Sequence, residues 1–88
     1  MRKTRIIVHL DSQDPVYLRG EGVSSLNWDK GVPLQKLAED EWLWETEEAF
    51  NDGAFKILIN DQQVELGDSH PLYPGASMRV NPKFPLDN

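Results

Sequence analysis

The segment Leu34-Gln-Lys-Leu-Ala-Glu-Asp-Glu-Trp-Leu-Trp-Glu-Thr-Glu-Glu-Ala-Phe50 carries two incompatible readings, and the fold class turns on the choice between them. Its Leu, Gln, Lys, Ala and Glu residues favour a helix, and Asn51-Asp52-Gly53 would serve as a helix stop. Leu34, Ala38 and Trp42 share one face of such a helix. The competing pattern is the alternation from Glu41 to Glu47. It sends Trp42, Trp44 and Thr46 one way, and Leu43 with the glutamates the other, as a strand does. Propensity alone leans slightly to the helix.

The flanking sequence is more plainly β. Near the amino terminus, Ile6, Val8 and Leu10 alternate with Arg5, Ile7 and His9, a first strand ended by the turn-forming Ser-Gln-Asp-Pro at 12–15. A second strand begins at Val16, with Val16 and Leu18 on one face and Tyr17 and Arg19 on the other. Gly20 and Gly22 are expected to break it. Downstream, Phe55, Ile57 and Ile59 alternate with Lys56 and Leu58. Asn60-Asp61 marks a tight turn, and Gln63-Val-Glu-Leu66 can pair back as a hairpin. Residues 67–75, with Pro71 and Pro74, read as a loop. A last strand spans 77–81 with Met78 and Val80 inward, and 82–88 are expected to fray. Short strands without parallel crossover helices imply a small antiparallel sandwich.

Between the second strand and the extended Val32-Pro33-Leu34, the chain passes through Leu26-Asn-Trp-Asp-Lys-Gly31. A tryptophan here either caps the core from a loop or is displayed for stacking. Pro33 restricts the exit from this loop to edge or irregular extended structure.

Composition narrows the function classes. The 88 residues suit one domain, residues 1–88, which buries only about 60–65% of its unfolded surface. The net charge of -6 argues against nucleic acid or an anionic membrane as partner, since both need a basic footprint. Without cysteine there is no disulfide, thiolate metal site or thiol nucleophile, which suits a reducing, cytoplasmic setting. The apolar run near the amino terminus is too short for a signal peptide and contains His9 and Asp11. No stretch approaches a membrane-spanning length.

Catalytic constellations are missing from the sequence. His9 and His70 lack spaced ligand companions and read as surface or structural residues, so neither a metal nor a cofactor is expected. The carboxylates from Glu39 to Glu48 read as a solvated charge run rather than an acid–base pair. The serines sit in no nucleophile elbow, and Gly20-Glu-Gly22 is too short for a phosphate loop. The chain reads as a binding domain rather than an enzyme.

One ordered set of residues carries a resemblance. Val16-Tyr-Leu-Arg-Gly, then Leu26-Asn-Trp-Asp, Val32-Pro-Leu, Trp42 and Phe55-Lys-Ile resemble the starch- and glycogen-binding modules of carbohydrate-binding module families 20 and 48. The match runs over nearly the whole chain in order. The resemblance implies an all-β, immunoglobulin-like antiparallel sandwich of about seven strands, and it assigns residues 42–48 to a strand. It also implies a sugar site in which Trp28 stacks on a glucose ring and Lys56 hydrogen-bonds the hydroxyls. The chemistry agrees: pyranose C–H groups pack on an indole face, and an outward ammonium donates to hydroxyls.

The sequence also departs from that pattern. The second stacking tryptophan of these modules falls on Val64, and their asparagine a few residues on falls near Asp68-Ser69. No aromatic near Ser12 or Asp14-Pro15 answers to a second site. Trp42 and Trp44 read as core, Tyr73 as turn packing, and Gln63 and Glu65 as neighbours that add polar contacts. The expected function is non-catalytic binding of α-1,4-glucan, glycogen- or starch-like, as a stand-alone module or one appended to a parent enzyme. The alternative is a sandwich that has lost sugar binding and uses Trp28 to anchor a protein partner.

Overall fold

The computed structural model describes residues 3–84, and every regular element among them is a strand. In chain order these are β1 (Thr4–His9), β2 (Val16–Glu21), β3 (Val32–Pro33), β4 (Gln35–Ala38), β5 (Glu41–Thr46), β6 (Gly53–Ile59), β7 (Gln63–Val64), β8 (His70–Leu72) and β9 (Ser77–Val80). One sheet has the order β4-β5-β1-β9. The other runs β3-β2-β6-β7, with β8 also paired to β6. Ile6, Val8, Trp42, Trp44 and Val80 of the first sheet meet Val16, Leu18, Phe55, Ile57 and Leu72 of the second in one core. The architecture is all-β and sandwich-like. No helix among the described residues is long and apolar enough to cross a membrane.

β5 resolves the ambiguous segment. Trp42 pairs with Val8 and Trp44 with Ile6, and the two indoles are only 5% and 6% exposed. In a helix, residues two apart point about 200° away from each other, so one ring would face water. Each indole buries about 150–250 Å², or roughly 4–6 kcal/mol at about 25 cal/mol per Å². Helix propensities differ by at most about 0.7 kcal/mol between ordinary residues. Burial wins, and the helical leaning of 34–50 is overruled. The Trp42 Nε1–H donates to the Leu10 carbonyl at 2.9 Å, and Lys36 Nζ lies 5.3 Å from the ring centroid.

Several expectations need correction. Nine strands are present among the described residues rather than about seven, because β4 lies in the helix-prone segment and β8 in the stretch read as a loop. β4 pairs with β5 as a hairpin reversed at Glu39-Asp40, and its register shifts between Lys36 and Ala38. Leu37 is the extra residue of that bulge, an irregularity suited to an edge strand. The sandwich is not wholly antiparallel. After β8 the chain crosses between sheets, and β9 joins β1 in parallel register, Arg5 to Ser77 through Val8 to Val80. The β2 ladder continues through Gly20, opposite Phe55, to Glu21, opposite Ala54. It ends only at Gly22, whose φ of +99° leaves the strand region.

Two residues of the stretch expected to fray make contacts with the rest of the domain. Leu66 N–H donates to the Lys83 carbonyl at 2.7 Å, and Phe84 packs on the core. Residues 85–88 of that tail lie outside the described residues. Two further readings hold. β3 is an edge strand with Pro33 exposed. Asn60 and Asp61 take φ of 56° and 55°, as the two central residues of a type I′ turn do.

Candidate functional site

The outer face of the β3-β2-β6-β7 sheet is set by its register. Arg19 lies opposite Lys56, Tyr17 opposite Leu58, and Leu58 opposite Val64. Since alternate residues share a face, Tyr17, Arg19, Lys56, Leu58 and Val64 all point away from the core. Leu58 is nevertheless buried, so this face has an apolar floor rather than a uniformly polar surface. Val64, which stands where the resembled modules carry a second tryptophan, is 43% exposed on the same face as Lys56.

Trp28 projects from the loop between β2 and β3. The loop is rooted by the buried Val23 and Leu26 and by Leu26 N–H to the Val23 carbonyl at 3.0 Å. Asn27 shapes the tip: its Oδ1 accepts from the N–H groups of Asp29 and Lys30 at 2.9 and 2.7 Å. Trp28 is 39% exposed, so the loop displays it rather than capping the core with it. Its Nε1–H donates to Glu21 Oε1 at 3.0 Å, which sets the ring's orientation.

Arg19 joins this loop to the β6–β7 turn. Its Nη1 donates to the Trp28 carbonyl at 3.1 Å, its Nε to Asp61 Oδ1 at 2.9 Å and its Nη2 to the Asp61 carbonyl at 3.1 Å. Asp61 Oδ2 accepts the Gly31 N–H at 3.0 Å. A Cβ on Gly31 would lie 2.3 Å from Asp61 Oδ1, so this approach requires glycine. The Arg19 hydrogen bond, and after it the Gly31 N–H, hold the Asp61 carboxyl below its ordinary value.

Lys56 is half-buried, and its Nζ donates to the Gly67 carbonyl at 2.6 Å. An ammonium has three donors, so two remain for a ligand. The common neighbour of the two residues named from sequence is Arg19, which faces Lys56 across the ladder and bonds the Trp28 backbone.

Other residues fall elsewhere. Glu65 points the opposite way to Val64 and is buried, accepting the Ile57 N–H at 2.8 Å and facing His70 Nε2 at 2.9 Å. It therefore supports the fold and supplies no contact on the outer face. Tyr73 is 56% exposed, so its ring does not pack into the turn. Glu48 accepts the Ser24 hydroxyl and, after it, the Ser24 N–H at 2.7 Å, which hold its carboxyl below the ordinary range. No group of potential metal ligands occurs among the described residues. A cavity of about 410 Å³ lies beside Glu47, Phe50 and Pro74, and neither Trp28 nor Lys56 lines it.

Sequence reasoning missed Arg19, Asp61 and Glu21. The outward parity of Arg19 was legible, but its partner is 42 positions away. The Trp28 ring can stack a flat apolar face, and the Lys56 ammonium can donate hydrogen bonds. Comparison with protein families, with curated proteins and with solved structures returned no match for this chain.

Proposed function

We propose that this chain is a non-catalytic carbohydrate-binding module for α-1,4-linked glucan, built on an immunoglobulin-like sandwich, with Trp28 and Lys56 at the centre of its site. The observation that carries the reading is the displayed indole of Trp28, 39% exposed on a hydrogen-bonded loop. A side chain of this size is mostly buried in domains that do not use it. Lys56, with two donors left over, supplies the polar complement on the adjoining face.

Val64 limits the affinity. A missing stacking ring costs about 0.5–1.5 kcal/mol beyond burial, up to roughly tenfold in Kd. The exposed Val64 and Leu66 would instead favour a protein partner anchored by Trp28. Amide-shift titration with maltoheptaose or β-cyclodextrin separates the two readings. The expected result is shifts around Trp28 and Lys56 that vanish in Trp28→Ala. Lys56→Ala should weaken binding by roughly three- to tenfold, the effect of one net hydrogen bond. No shift at millimolar sugar would sink the glucan reading and promote the protein-partner one.

A further inference from the structure

The loop carrying Trp28 leads into β3, a two-residue edge strand, which is a weak support for a binding platform. Besides the loop's own hydrogen bonds and its buried Val23 and Leu26, one ion pair ties it to the β6–β7 turn. Both the Trp28 carbonyl and the Gly31 N–H end on the Arg19–Asp61 pair, at 3.1 and 3.0 Å. Arg19 stands on β2, where the ladder with β6 sets it opposite Lys56, so the anchor itself is held by the sheet. Its fork reaches three acceptors at once: two on Asp61 and one on Trp28. A point donor such as lysine cannot reproduce that geometry.

The pair also differs in kind from Arg5–Glu45. That pair lies across neighbouring strands with side chains 43% and 30% exposed, and it orders no loop. Arg19 and Asp61 are each 24% exposed and join two loops that no ladder connects. Asp61 sits at the turn into β7, so the same pair ties the Trp28 backbone to the turn that leads to Val64.

We propose that Arg19 and Asp61 are positioning residues that hold the Trp28 platform in place before α-glucan arrives. This rests on the carbohydrate-binding reading. Loop order established on folding need not be supplied on binding, so loss of the restraint lowers affinity without removing any group that touches sugar. With one stacking ring rather than two, the dependence on that ring's placement is greater.

The test uses the full chain, with Arg19→Lys and Asp61→Asn beside the wild type. Backbone heteronuclear NOE values are measured without sugar, and β-cyclodextrin is then titrated with amide shifts as the readout. Lower NOE values confined to residues 27–31, with binding roughly three- to tenfold weaker, are expected for both variants. Amide shifts of the core strands should stay at wild-type values. If Arg19→Lys does not fold, Asp61→Asn carries the comparison, since it keeps the side-chain shape and one acceptor oxygen. Wild-type affinity in the folded variants would overturn the positioning role and leave the glucan reading standing. Weaker binding accompanied by shifts throughout the core would also overturn it, because the effect would then be general loosening. A wild-type chain that shows no shift with sugar overturns the glucan reading, and the positioning role falls with it.

Discussion

At the scale of single residues, Asp61 links the site to pH. Arg19 and then the Gly31 N–H hold its folded-state carboxyl below the ordinary value of 3.8. The unfolded chain therefore binds the proton more readily, and stability rises with pH through this range. The contribution is fully present above the unfolded value and is lost as pH falls through the lower folded one. Urea unfolding measured from pH 6 to pH 3 should show a falling midpoint, and Asp61→Asn should flatten part of that slope. An unchanged slope would mean that other carboxylates, Glu48 among them, carry the acid sensitivity. The individual residues of this cluster were visible in the sequence, but the cluster was not. Trp28 stood out because a large aromatic between Asn27 and Asp29 is unusual in a loop. Arg19 and Asp61 are ordinary surface types whose meaning lies in a contact across 42 positions.

At the scale of elements, the hairpin of β4 and β5 shows how position in a sheet decides tolerance. β5 is flanked by β4 on one side and β1 on the other, so its N–H groups face ladder partners in both directions. Leu43→Pro removes one of them and fixes φ, and it should abolish cooperative unfolding as monitored by near-UV circular dichroism. Leu37, exposed at the bulge of the edge strand β4, should accept lysine at a cost within about 0.5 kcal/mol in denaturant unfolding. A large loss at Leu37 would show that the bulge is structurally required. The period-2 pattern of β1, β2 and β6 was strong enough to read directly. β4 was hidden because Gln-Lys-Leu-Ala carries helix-favouring residues and no alternation, and all four are exposed. β8 was hidden by Pro71 in a three-residue strand.

At the scale of the whole molecule, two sheets share one small core, so each large side chain is a substantial part of the stability. Trp44→Ala should cost about 3–5 kcal/mol, against about 5–15 kcal/mol for a domain in total. Thermal unfolding should therefore begin near physiological temperature in that variant. A loss below about 1 kcal/mol would mean that the two sheets close over the vacated space, which the tight interdigitation of cores opposes.

The residues by themselves determined the inward faces. Alternation put Ile6, Val8, Val16, Leu18, Phe55 and Ile57 on one side of their strands, and all six are buried. They also determined the turn at Asn60-Asp61 and the edge position of the segment around Pro33, because backbone preferences there are local. Tertiary structure decided what local preference could not. It settled residues 35–46 as a hairpin, since only alternation buries both Trp42 and Trp44 in the same core. It ran β9 parallel to β1, since the chain changes sheets before that strand begins. And it brought Arg19 to Asp61 beneath the Trp28 loop, because an ion pair between distant positions exists only once the β2–β6 ladder and the β6–β7 turn have folded and brought the two within reach.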